Sequence, residues 1–79
     1  MNAWVEIFNE VQTNYPIPSW QLCFQRVEFH YDDDSSEDGL IFIWRDERGR
    51  LHPTRGQARI PSSEELDDLV NRAKLAGWY

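Results

Sequence analysis

The clearest pattern in the chain is the run Leu40-Ile41-Phe42-Ile43-Trp44, apolar throughout and without polar alternation. It reads as a central strand with neighbours on both sides. Upstream, Trp20, Leu22 and Phe24 alternate, and Val27, Phe29 and Tyr31 alternate one step out of phase. A single strand from Trp20 to Tyr31 accommodates both sets on one face if a β-bulge sits near Gln25-Arg26. Asp32 to Gly39 is polar and turn-like. Asp46-Glu47-Arg48-Gly49 has the residues of a type I turn with a left-handed glycine. Arg50-Leu51-His52-Pro53 then returns as a third strand, confined to an edge by Pro53. The stretch 54–61 is ambiguous between strand and loop.

The ends of the chain carry three- and four-residue spacing. Trp4, Val5, Ile7, Phe8, Val11 and Tyr15, preceded by Asn2 as a cap, predict a first helix that stops before Pro16. Pro16-Ile17-Pro18 is a stiff extended connector. Ser62-Ser63-Glu64-Glu65 is a capping box, and Leu66, Leu69, Val70 and Ala73 form the inward stripe of a last helix. Lys74 suits its final turn, and Gly77 its left-handed stop.

The expected architecture is therefore α+β, in the order α-β-β-β-α. A three-stranded antiparallel sheet, order 1-2-3, has both helices packed on one face. That element order is similar to the double-stranded-RNA-binding domain, by topology alone. In such domains the first hairpin loop and the start of the last helix meet phosphates, which demand basic residues there. Both places are acidic here and would repel phosphate, which argues against that mode.

A register with Tyr31 facing Leu40 puts Phe29 opposite Phe42 and Val27 opposite Trp44, all toward the helices. The other face then carries Arg26, Glu28, His30, Ile41, Ile43 and Arg45, joined by Leu51 and Pro53. This apolar stripe bordered by charges has no third layer to cover it.

Composition narrows the function classes. The 79 residues fit one domain, 1–79, with 8 Lys+Arg against 14 Asp+Glu and a net charge of −6. Such a charge disfavours nucleic acid and anionic membranes as partners. No stretch approaches the ~18 apolar residues of a membrane span. A lone cysteine, Cys23, and an N-terminus without a basic leader make the cytoplasm the expected location. Four Trp, four Phe and three Tyr supply the buried area a small core needs.

Candidate chemistry is sparse. Asp34-Ser35-Ser36-Glu37-Asp38-Gly39 matches the first half of a calcium loop, but its twelfth position is Arg45 instead of a bidentate glutamate. Cys23 with His30 or His52 lacks any nucleophile signature. No catalytic residue, cofactor site or metal site is assigned. Charge is segregated: Arg45, Arg48, Arg50, Arg55 and Arg59 outweigh Asp46 and Glu47, a net of +3, while five acids crowd Asp32–Asp38. The expected function is a non-enzymatic protein-interaction or accessory module, binding a protein partner or a second copy weakly. Its interaction residues are Ile41, Ile43, Arg45, Arg48, Arg50 and Leu51. The alternatives are a nucleic-acid contact through the arginine-rich hairpin and a small enzyme or ligand-binding protein with an unrecognised site.

Overall fold

The computed structural model describes residues 3–53 and 59–79. The chain forms a four-stranded antiparallel sheet with one helix, an α+β arrangement: β1 (Ala3–Gln12), β2 (Gln21–Tyr31), β3 (Ser36–Arg45), β4 (Leu51–His52) and α1 (Ser63–Leu75). The strands lie in sequence order.

The expected first helix is a strand, which removes the likeness to the RNA-binding topology. Trp4, Val5, Ile7, Phe8 and Val11 are aromatic or β-branched, types that favour a pleated surface. The apolar spacing that resembles a helix comes from apolar residues on both faces of the strand: Val5 and Ile7 on one, Trp4 and Val11 on the other. The β1–β2 register shifts between Ile7 and Asn9, leaving Phe8 as the extra residue. Apolar residues that change face along a strand imitate the i, i+3, i+4 series of a helix. The proposed cap, Asn2, lies outside the described residues.

The bulge expected near Gln25-Arg26 does not exist on the β3 side, where β2 pairs without interruption from Gln21–Arg45 to His30–Ser36. The phase error has another cause: β2 changes which of its faces is apolar. Leu22 and Phe24 point to the helix and join Leu69 and Ala73 in the buried core, with Val11, Phe42, Trp44, Ile60, Val70 and Trp78 around it. Beyond Arg26 the helix no longer covers the sheet, and Val27, Phe29 and Tyr31 point the opposite way.

The register also differs from expectation. Phe42 sits opposite Phe24 and Trp44 opposite Leu22, with Arg26 opposite Leu40. The reason is the turn. The connection is only Asp32–Ser35, closed by Asp34 N–H to Tyr31 O and by Tyr31 N–H to Ser35 O. Asp33 accepts from the Ser35 amide at 3.0 Å, and Asp34 takes φ 67. Ser36 to Gly39 therefore belong to β3, not to a loop. Gly39 inside the strand is covered from β2: a Cβ there would lie 2.9 Å from Phe29 Cε2.

The second hairpin follows the sequence reading. Gly49 has φ 83, its N–H bonds to Asp46 O at 2.9 Å, and Trp44 pairs with His52 and Arg45 with Leu51. Residues 54–58 lie outside the described residues, and 59–61 are neither strand nor helix.

The helix begins as expected. Ser62 is the N-cap in extended conformation, and its hydroxyl accepts from Glu65 N–H at 3.2 Å. It ends in a Schellman motif: Gly77 at φ 85 donates to Lys74 O, and Trp78 donates to Ala73 O. That turn lays Trp78 on Phe24, with ring centroids 5.4 Å apart. The helix is tied to β1 by Arg72, whose Nη2 donates to Gln12 O at 2.6 Å.

Candidate functional site

The strand register fixes two faces. On the helix side lie Leu22, Phe24, Phe42 and Trp44, followed at the uncovered end by Arg26, Glu28 and His30. On the other side lie Cys23, Gln25, Val27 and Phe29 of β2, Ile41, Ile43 and Arg45 of β3, Val5 and Ile7 of β1, and Leu51 of β4. No described element covers this second face, and we refer to it as the open face.

Four of the sequence-predicted interaction residues, Ile41, Ile43, Arg45 and Leu51, share the open face, each partly buried. Arg26, Glu28 and His30 do not join them, because the true register reverses the assignment for β2. Val27 and Phe29 take their place. Arg48 and Arg50 are exposed in and beside the β3–β4 turn, and Arg55 lies outside the described residues.

A polar knot stands at one end of the open face. Glu10, from β1, accepts from Arg45 Nη2 at 2.8 Å and Nε at 3.0 Å, and from Gln25 Nε2 at 2.6 Å. Gln12 Nε2 donates to it as well. Burial pushes the Glu10 carboxyl up, but the hydrogen bonds from Arg45, Gln25 and Gln12 outweigh that and hold it below its ordinary value. Arg45 also donates to Gly49 O at 2.6 Å, so one guanidinium joins β1 to the second hairpin. Cross-strand pairing brings together residues 35 apart in sequence here, so nothing in the local pattern of either signals the pair.

The second hairpin has its own anchor. Asp46 is 7% exposed. Its carboxylate accepts from the Arg48 and Arg50 amides at 2.9 Å and contacts His52 Nε2 at 2.9 Å. The His52 contact first, then the backbone amides, holds Asp46 well below the usual carboxylate range. The Trp20 ring stacks on His52 at 4.2 Å. These groups explain the Asp-x-x-Gly signature as hairpin architecture.

The thiol–imidazole idea fails on geometry. Cys23 faces the open side, whereas His30 and His52 are on the helix side. Burial, and then the Glu10 charge, pushes the Cys23 thiol up to about 11, so it stays protonated and packed. His30 stacks on Trp4 at 4.0 Å and lies 3.3 Å from Glu6 and 3.5 Å from Glu28.

The calcium-loop pattern dissolves in the strand. Glu37 and Asp38 point to opposite faces of β3, so the oxygens cannot converge. Among the described residues, no three His, Cys, Asp or Glu side chains are placed to hold a metal. Nor is any described helix long and apolar enough to cross a membrane.

One further recess lies on the helix side, about 250 Å³, lined by Arg26, Asp38, Gly39, Leu40, Trp78 and Tyr79. It is wide open to solvent.

Comparison with protein-family models, with curated proteins and with solved structures finds no match for this chain.

Proposed function

We propose that the protein is a non-enzymatic interaction module that docks a protein partner on the open face of its sheet. The observation that carries this reading is the make-up of that face. Phe29, Ile41 and Ile43, partly buried, with the exposed Val5 and Ile7, form an apolar surface over the fully buried Val27 on a face that no described element covers, and Glu10 and Arg45 neutralise each other at its border. An antiparallel sheet commonly leaves one face to solvent, but that face is then alternately polar. A dry centre with a polar rim is the make-up of a modest interface.

The arginine-hairpin alternative has less support. Arg45 is committed to Glu10 and to Gly49 O, and Arg50 Nε lies 3.4 Å from Asp46. Arg48 and Arg50 better suit a charged rim that steers an acidic partner surface. For an enzyme reading, no concave site with converging polar groups is found on either face among the described residues.

The test is Ile43→Asp in a cross-linking experiment with a photoreactive residue at position 41. The wild type should trap a partner through position 41. With that partner purified, the variant should bind at least tenfold more weakly while circular dichroism shows the native sheet. Trapping only from positions on the helix side, or unchanged affinity in the variant, overturns the proposal.

A further inference from the structure

The outer edge of β1 is guarded unevenly. At its C-terminal end, the Gln12 carbonyl is capped by Arg72, and the bulge at Phe8 breaks the regular ladder. Both devices discourage another strand from adding there. Between Trp4 and Ile7 there is no such device. The backbone pairs regularly with β2 on its inner side, no described strand lies on its outer side, and the stretch has neither proline nor lysine. Its side chains are also unusually exposed: Trp4 59%, Val5 42% and Ile7 40%. On the opposite border of the sheet, β4 pairs with Trp44 and Arg45, and Glu37 and Asp38 put charge along the distal part of β3.

We propose that this half-edge pairs with the same half-edge of a second copy of the chain, antiparallel, with Val5 on the two-fold axis. The result is a continuous eight-stranded sheet. The proposal concerns the backbone edge of β1, whose Val5 and Ile7 side chains border the open face, so it goes beyond the docking reading and does not rest on it.

The register follows from charge and regularity. The only ionisable side chain in the segment is Glu6. A two-fold centred on Glu6 would set the two carboxylates directly opposite each other, which is unfavourable. A centre on Phe8 would oppose Glu6 to Glu10 of the other copy and run through the bulge. Centring on Val5 sets Trp4 against Glu6 of the other copy, twice, and Val5 against itself. Every residue used is then in the regular part of β1. Paired residues in an antiparallel ladder share a face, so the exposed Val5 side chains meet across the axis. The axis runs through the sheet, so both helices lie on one side and both open faces on the other. The acidic turns Asp32–Ser35, beside the Ala3 end of β1, diverge on opposite sides of the axis. Their separation exceeds the screening length of about 8 Å at physiological salt, so their repulsion is damped. A ladder this short buries little area, so the dimer is a weak one.

Sedimentation velocity over a concentration series tests this, together with single cysteines placed in β1 of a Cys23→Ser background. The wild type should shift from monomer toward dimer as protein rises to several hundred micromolar. Val5→Lys, which sets two ammonium groups on the axis, should stay monomeric across the series. Because a lysine there could loosen β1, the second measurement is positive in sign. Under mild oxidation Val5→Cys should cross-link into a covalent dimer at least fivefold faster than Ile7→Cys. Position 7 faces position 3 of the other copy, so two cysteines at 7 are too distant for a disulfide. Ile43→Asp, on the open face, should leave dimerisation unchanged. A wild type that stays monomeric throughout, or equal cross-linking at 5 and 7, overturns the proposal. So does a dimer abolished by Ile43→Asp but not by Val5→Lys, which would place self-association on the open face instead.

Discussion

Replacing Arg45 by methionine should cost the fold about 2 kcal/mol. The substitution keeps the apolar stem and removes the fork that donates to Glu10 from Nε and Nη2 and to Gly49 O from Nη1. What it leaves behind decides the magnitude. The Glu10 side chain is only 17% exposed, and it retains the amide donors of Gln25 and Gln12. Stripping one partner from a fully buried ion pair costs roughly 3–5 kcal/mol, and an exposed pair is worth well under 1. This pair is intermediate, and its remaining amide donors cushion the loss, hence about 2. For a chain of this size that corresponds to a fall in Tm of roughly 8–16 °C. Thermal and urea denaturation would measure it. The double variant Glu10→Gln/Arg45→Met should recover most of the loss, since no uncompensated charge is then left under the face. The pH profile gives a second readout. The folded Glu10 carboxyl ionises more readily than the unfolded one, so its contribution is complete above the ordinary carboxylate value and is lost as pH falls through the lowered one. That component of acid destabilisation should shrink in Arg45→Met. If the two single variants are additive in the double variant, Glu10 and Arg45 are not coupled in solution, and the description of the knot is wrong.

Three further expectations are independent of that pair. Ser62→Ala removes the hydroxyl that accepts from Glu65 N–H and should cost about 1 kcal/mol in denaturant midpoints; an unchanged midpoint would mean the helix starts elsewhere. Gly39→Ala should cost about 1–3 kcal/mol, because its Cβ would meet the Phe29 ring at 2.9 Å, and Phe29→Leu in the same chain should relieve part of it. Cys23, with its thiol pushed up to about 11, should resist alkylation at pH 8 until the protein unfolds, as followed by mass spectrometry; rapid labelling of the native protein would contradict its burial.

How much of this was legible beforehand depended on whether a signal was local. The Ser62 N-cap, the Gly77 stop and the Asp46–Gly49 turn are each specified by residues within four positions of one another, and each forms as the sequence implies. Two failures were non-local. In β1 the apolar residues lie on both faces, Val5 and Ile7 on one and Trp4 and Val11 on the other, which gives a false helical period; the abundance of Trp, Val, Ile and Phe in that segment is the available counter-signal. In β2 the phase error reads as a bulge only if a strand keeps one apolar face. That assumption fails when the covering helix is shorter than the strand. The register error then followed from reading Ser36–Gly39 as loop. Ile41, Ile43 and Leu51 were grouped on one face because β3 and β4 are linked by a turn that the sequence does specify, whereas the Glu10–Arg45 bond spans strands whose adjacency no short-range pattern encodes.

The change of apolar face halfway along β2 divides the sheet into two regimes of opening. Near Leu22 and Phe24 a strand separates only if the helix lifts with it, because Leu69, Ala73 and Trp78 are packed across that end. Near Phe29 and Tyr31 the strands are held by their ladder and one layer of side chains. Native-state amide exchange reports such differences as separate opening free energies within one fold. The amides of Leu22 to Phe24 should exchange only through global unfolding, and those of Phe29 to Tyr31 through smaller openings that start at the acidic turn. The strand end with the least resistance to opening is also the end that presents the unguarded half of β1, so fluctuation and exposed edge are concentrated in the same corner of the molecule.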